Sequence, residues 1–304
     1  MLRPRCDDVA MTIATLIASG PVVLDGGFAT ALETRGHDLS GSLWSARLIH
    51  DAPSEIVAAH RGFVDAGAAI VITASYQASY AGYLSAGLTE EQCDHDLDAS
   101  VRLARDGADG RAVVAASVGP FGAHLADGSE YTGYPDVGRA RLRDFHARRL
   151  ERLIAAEPDL VAVETLPEVL EADVVVQLLD ELAPDLPYWV TFSATAGARL
   201  TGGAPFAEAV DVVHGAAVAV GVNCTAPRHV AELLSSAAPR VPYVVYPNGG
   251  AVYDAVTKTW TSEGSSGFAA STVRQWRDLG ATLIGGCCGI DAQGVRGISD
   301  ALSA

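Results

Sequence analysis

The residues best equipped for chemistry are five cysteines, Cys6, Cys93, Cys224, Cys287 and Cys288. An odd number with two adjacent is a poor disulfide framework, and it points instead to metal binding or catalysis in a reducing compartment. Neighbours on a strand face opposite ways. Cys287 and Cys288 can therefore serve one centre only where a strand ends and the backbone turns, a freedom that Gly285, Gly286 and Gly289 provide. With Cys224 they make a set of three soft thiolates that suits zinc. Cys93 falls in an expected helix and Cys6 in the N-terminal tail, and no His pair stands at metal-binding spacing, so no fourth ligand is apparent. A structural zinc wants four protein ligands, whereas three leave a position for substrate or water. The competing reading makes all three cysteines small buried hydrophobes. Their spacing alone leaves both open.

Other chemistries find less support. Segment 197–203 is rich in glycine but lacks the Gly-Lys-Ser/Thr ending of a phosphate-binding loop. The chain has neither a G-x-S-x-G elbow nor an H-E-x-x-H helix, so hydrolase readings lack their usual signatures.

Positioning these residues requires a scaffold, and its pattern is plain. Eight short runs rich in Val, Ile and Ala recur at 21–25, 68–75, 112–118, 160–165, 188–193, 217–223, 242–247 and 281–286. Most are continuously apolar, as suits strands buried on both faces of a parallel sheet. Amphipathic helices are expected between them. One runs over 54–66, with Pro53 and Ser54 as start signals and Gly67 as the stop. Another covers 139–156, setting Phe145, Leu150, Leu153 and Ile154 against a charged face. Eight strands alternating with helices, without a Pro/Ser-rich linker, predict an α/β fold, a single (β/α)8 TIM barrel over residues 1–304. An open doubly wound sheet is the alternative. Polar or reactive residues collect at the C-terminal ends of the runs: Asp25, Thr73 and Ser75, Glu164, Cys224, Asn248 and the Cys287–Cys288 pair. Barrel active sites are built on that face.

Composition sets outer bounds. With 49% hydrophobic and 19% charged residues the chain has ample material for a core. A net charge of −16 argues against nucleic-acid binding, because phosphates would be repelled. No apolar run approaches the ~20 residues of a membrane span. Arg3 and Arg5 before a mildly apolar stretch imitate a signal peptide, but Asp7, Asp8, Thr12 and Thr15 interrupt it, and a cytoplasmic protein is expected. Residues 1–10 read as a loose extension, with Met11 an equally plausible start.

Taken together, Gly221-Val222-Asn223-Cys224 and Gly285-Gly286-Cys287-Cys288-Gly289, on a chain opening Leu24-Asp25-Gly26-Gly27, strongly resemble the homocysteine S-methyltransferase family. The resemblance runs from about residue 22 to 290 and includes Ile72-Thr73-Ala74-Ser75-Tyr76-Gln77, Asp127-Gly128-Ser129-Glu130-Tyr131, Val163-Glu164-Thr165 and Tyr246-Pro247-Asn248-Gly249. It implies a barrel enzyme with catalytic Zn2+ on Cys224, Cys287 and Cys288. It also implies that Asp25 and Glu164 hold the ammonium of homocysteine. From the residues alone, Asp25 reads first as a turn residue and Glu164 as a helix-cap neighbour. The N–H groups of Gly26 and Gly27, with Thr73, are candidates for the substrate carboxylate, although Thr73 is also an ordinary strand residue.

The segments 74–77 and 127–131 resemble the branch using S-methylmethionine, with S-adenosylmethionine a second candidate donor and betaine a third. The implied donor pocket comprises Ser75, Tyr76, Glu130, Tyr131 and Asn248. Tyr76, Tyr131 and Glu130 suit a sulfonium through cation–π attraction and charge; a generic loop with one aromatic anchor is the plainer reading. Two departures stand out, Gly289 where that branch usually carries Arg and His124 where a phenol is commoner. A selenocysteine-type methyltransferase or a non-catalytic zinc-binding barrel are the other readings. Partners are expected to be small molecules, not nucleic acid or membrane, on a monomer or small homo-oligomer.

Overall fold

The computed structural model describes residues 13–39, 43, 45–125, 127–251, 253–254, 259–260 and 264–304. The extension expected at 1–10, including Cys6, lies outside them. Strands β1 (Val22–Val23), β2 (Ile70–Ile72), β3 (Val113–Val118), β4 (Leu160–Leu166), β5 (Tyr188–Phe192), β6 (Ala217–Asn223), β7 (Tyr243–Tyr246) and β8 (Ala281–Ile284) form one parallel sheet. Its order is β1-β8-β7-β6-β5-β4-β3-β2. Leu24 bridges Ile70 in parallel, and the Ala69 N–H donates to Val23 O at 2.8 Å, so the ends of the sheet meet. That closure makes a (β/α)8 barrel and removes the open-sheet alternative.

One helix of the outer ring follows each strand: α1 (Pro53–Asp65), α2 (Glu90–Ala108), α3 (Arg139–Ala155), α4 (Val169–Leu182), α5 (Phe206–Asp211), α6 (Pro227–Ser235), α7 (Ala270–Asp278) and α8 (Ala292–Ser303). Every residue of β4 and β5 is buried, as the unbroken apolar runs require. Two apolar clusters result. Leu24, Ile70, Leu160, Trp189, Val244 and Leu283 fill the barrel interior, with Ile13 packed among them. A larger cluster lies between the sheet and the helices. Among the described residues no helix is long and apolar enough to cross a membrane.

Several strands end sooner than their apolar runs suggest. β1, β2 and β8 stop before Asp25, Thr73 and Gly285, because there the chain leaves the ladder to build the mouth. α3 holds a different surprise. Its buried face comprises Leu142, His146, Arg149, Leu150 and Leu153, so two polar side chains share the stripe expected to be apolar.

Candidate active site

Cys224 follows β6 with φ +45°, and Thr165, near the end of β4, has φ +63°. Residues with a Cβ rarely occupy this left-handed region unless their surroundings over-determine it. Here an amide supplies the constraint. Asn223 Oδ1 accepts the Thr165 N–H at 2.7 Å, and Asn223 Nδ2 donates to Thr165 Oγ1 at 2.7 Å. Asn248 Nδ2 then donates to the Cys224 carbonyl at 3.0 Å.

On the other side of the mouth, the Cys287 N–H donates to Pro247 O at 2.9 Å and the Ile290 N–H returns to Cys287 O at 3.0 Å. Gly289 completes this turn at φ +87°. The turn brings both adjacent thiols to one centre. Cys224 Sγ lies 3.6 Å from Cys288 Sγ, and Cys287 Sγ lies 3.9 Å from Cys288 Sγ. Cys224 is buried and the other two half-buried.

These separations fit a metal. Tetrahedral sulfurs about 2.3 Å from a zinc ion stand roughly 3.8 Å apart. Without an ion, hydrogen bonds from the Cys287 and Cys288 thiols, and then from Tyr131, hold Cys224 well below the ordinary thiol range despite its burial. The Tyr131 hydroxyl lies 3.2 Å from Cys224 Sγ. A second trio, His50, His95 and Asp96, also gathers ligand atoms within 4.8 Å. Its histidines are exposed, and His95 and Asp96 are already paired at 3.0 Å as helix neighbours.

The cleft beside the sulfurs encloses about 680 Å³, counting its open mouth, and Asp25, Gly26, Gly27, Thr73, Tyr76, Tyr131 and Glu164 line it. Asp25 Oδ2 accepts the Ile72 N–H at 2.7 Å. Burial raises its carboxyl well above the usual range. Glu164 accepts from the Ser117 hydroxyl and from Tyr246. Burial outweighs those bonds and pushes it up to about 7. Among the described residues neither carboxylate forms an ion pair, and Arg149 acts on Glu164 only through space. Two acids thus share a cleft on which, among the described residues, there is no cationic side chain.

The remaining expectations divide. Gly27 lines the cleft, but its N–H donates to Ile290 O at 2.8 Å, so it is not free for a carboxylate. A Cβ there would stand 2.6 Å from Cys287 O, and close packing is what requires the glycine. Ser75 and Asn248 are not in the lining. The Ser75 hydroxyl donates to Ser117 O at 2.8 Å, and Asn248 braces the Cys224 loop. Glu130 sits just behind the wall, buried, with Oε2 lacking a partner and its carboxyl pushed up to about 7 by burial. His124 packs on Phe121 and Phe145 rather than on the cleft. Sequence reasoning passed over Ser117 and Tyr246 as supports of Glu164. Both sit at strand C-terminal ends, which was the signal available.

Comparison with known proteins follows this geometry. The sequence profile of the family described as homocysteine S-methyltransferase matches residues 22–302. The chain belongs to this family. As a homocysteine S-methyltransferase family member it is a methyltransferase on a TIM barrel. It is 40% identical over 302 residues to homocysteine S-methyltransferase 1 of Brassica oleracea var. italica, covering 92% of this chain and 93% of that one. Homocysteine S-methyltransferase YbgG of Bacillus subtilis is 37% identical, with 91% and 93% covered. Among solved structures, the metallated form of the homocysteine methyltransferase MmuM from Escherichia coli superposes with a TM-score of 0.83 at 35% identity, covering 94% of this chain and 98% of that one.

Proposed function

We propose that the chain transfers a methyl group from S-methylmethionine to the thiol of homocysteine, giving two methionines, with Zn2+ held by Cys224, Cys287 and Cys288. The observation that carries this reading is the convergence of three sulfurs, 3.6 and 3.9 Å apart, on a cleft whose acids have no cationic partner among the described residues. When bound, the metal supplies Lewis acidity that keeps a substrate thiol deprotonated at neutral pH.

The chain's own residues do the rest. Asp25 and Glu164 take the homocysteine ammonium between them, and each raised carboxyl becomes ionised as that cation arrives. Thr73 and Gly26 border the same corner. Tyr76 and Tyr131 offer aromatic faces, and Glu130 a charge, to the sulfonium. A new S–CH3 bond forms on homocysteine as the donor's C–S bond breaks. The donor sulfur keeps that bonding pair and leaves as a neutral thioether, so no general acid is needed. A cytoplasmic setting, where thiols stay reduced, suits the three cysteines.

Methionine formation from homocysteine, measured with S-methylmethionine, S-adenosylmethionine and betaine, with and without a chelator, tests this. S-Methylmethionine should lead, S-adenosylmethionine trail and betaine be negligible. Betaine outpacing the sulfoniums would remove the donor assignment. Turnover undiminished by chelation would remove the metal.

A further inference from the structure

The loops after β2 and β3 both feed the cleft, and one side chain from outside the barrel holds them together. Arg149 of α3 is 1% exposed. Its Nη2 donates to Ser75 O at 3.0 Å and to Tyr76 O at 2.7 Å, and its Nη1 donates to Gly119 O at 2.9 Å. Among the described residues no carboxylate forms an ion pair with it. Burial pulls its pKa down to about 10, so it keeps its charge at neutral pH. A guanidinium buried on carbonyls alone is a costly way to stabilise a helix–sheet layer, where an apolar side chain serves better.

What the three bonds achieve is geometric. Ser75 and Tyr76 belong to one loop and Gly119 to the other, and Gln77 Nε2 adds a bond across to Ala123 O at 3.0 Å. The Tyr76 ring lies against the bare backbone of Gly119, where a Cβ would stand 2.7 Å from ring Cδ2 and 2.8 Å from Cε2. Its hydroxyl is hydrogen-bonded to Thr165. The ring is thereby held by Gly119 against one edge and by Thr165 at its hydroxyl, and Tyr76 lines the cleft.

We propose that Arg149 is a positioning residue for recognition of the methyl donor, gathering the carbonyls of two loops so that the Tyr76 ring stands fixed in the cleft wall. This rests on the reading of Tyr76 as a donor contact. The spacing of α3 agrees: Leu142, His146, Arg149 and Leu153 follow one buried stripe, which aims Arg149 at the sheet.

The test is kinetic and is made on the full chain with metal bound. Arg149→Met should raise the donor KM roughly 10- to 100-fold while homocysteine KM and bound zinc change by less than about twofold. Arg149→Lys, which keeps a charge and some of the bonds, should recover part of the loss. Gly119→Ala, whose Cβ would press on both the Tyr76 ring and the Tyr76 carbonyl that Arg149 binds, should reproduce the donor effect with the Arg149 side chain still present. In a Tyr76→Ala background Arg149→Met should add little, because the ring it aims is gone. Additive losses, or equal losses for homocysteine and zinc, would overturn the proposal.

Hydrogen exchange separates this proposal from the donor reading. Arg149→Met should speed exchange at the Ala78 N–H, which bonds Ser75 O, and at the Ala123 N–H, which bonds Pro120 O. If Tyr76→Ala leaves donor KM unaltered, the donor reading fails and the role in donor recognition goes with it. Exchange then judges the clamp alone, and unchanged rates in Arg149→Met overturn that as well.

Discussion

Between α3 and α4, Glu171 is buried and fully used: Oε1 accepts the Phe121 N–H at 2.6 Å and faces His146 Nε2 at 2.7 Å, while Oε2 accepts from the Tyr134 hydroxyl. Across the mouth, Asp25, Glu164 and Glu130 are buried too, yet among the described residues none of them has a cationic side chain paired with it. Both clusters lie under the same layer of loops. The paired one behaves as structure: both oxygens of the Glu171 carboxylate are bonded within the protein, although the far ring nitrogen of His146 is not. The other lacks a countercharge among the described residues, and on the proposed reading the homocysteine ammonium and the donor sulfonium supply it. On the proposed reading, buried acids that face the cleft without a cationic partner mark the working side of this barrel, and the fully bonded Glu171 marks its frame.

The largest effect should follow from removing a sulfur. Cys287→Ala should lose both bound metal and turnover, read by metal analysis and methionine formation, while the fold persists. Full activity in the metal-free variant would end the zinc reading. Glu164→Gln comes next. It keeps an acceptor for Ser117 and Tyr246 but strands the substrate ammonium. Leaving one member of a buried pair alone costs roughly 3–5 kcal/mol, a rise in homocysteine KM on the order of 100- to 5000-fold. Zinc content should hold and the melting temperature should not fall. Glu171→Ala reverses that pattern. It orphans the Phe121 N–H, His146 and Tyr134 at once and should lower unfolding free energy by about 3–5 kcal/mol, read by urea titration, with homocysteine KM little changed. If Glu164 and Glu171 variants behave alike, the distinction between the clusters fails.

A pH profile sharpens the same contrast. With Glu164 at about 7, its carboxyl gains a proton below neutrality and loses its hold on the ammonium. Homocysteine kcat/KM should therefore fall as pH drops below 7, by up to about tenfold per unit, and Glu164→Gln should flatten that limb. Stability carries the opposite sign. A carboxyl raised from 4.5 favours the folded state below 4.5, and that contribution fades as pH rises through about 7. An unchanged acid limb in Glu164→Gln would assign the titration elsewhere.

Much of this site was legible in the sequence because its residues sit where strands end. Asp25, Thr73, Glu164, Cys224 and the Cys287–Cys288 pair were all found by locating the C-terminal tips of eight apolar runs, and the cleft gathers them. Orientation was not legible. Ser75 and Asn248 occupy the same tips but turn away from the cleft, one to the Ser117 carbonyl and one to the Cys224 carbonyl. Gly27 lines the cleft while its N–H serves the turn after Cys288. Hydrophobic periodicity treats an arginine as surface, so Arg149 was hidden although it falls in register with Leu142 and Leu153.

His60 offers the smallest and most discriminating effect. It is buried on α1, its ring lies tilted against Phe28 with centroids 4.5 Å apart, and neither ring nitrogen has a hydrogen-bond partner among the described residues. Phe28 lines the cleft, so His60 is near the site without being in it. Burial holds the ring neutral, with its pKa lowered to about 3. It is thus a buried titratable group that, like Glu164, has no oppositely charged partner among the described residues, but it is not in the cleft lining. If lack of a partner alone marked function, His60→Leu should impair turnover. If presentation to the cleft is also required, turnover should be unaffected and stability at pH 7.5 should change by less than about 1 kcal/mol, since a similar volume replaces an unsatisfied polar ring. Acid response supplies the second readout. A histidine depressed from 6.5 contributes nothing adverse above 6.5, then costs stability as pH falls toward 3, by up to about 1.4 kcal/mol per unit. His60→Leu should remove that slope between pH 6 and 4, seen as a smaller drop in melting temperature than the unaltered chain shows. Lost turnover, or an unaltered slope, would mean that the ring has a partner or a task that its apolar surroundings do not reveal.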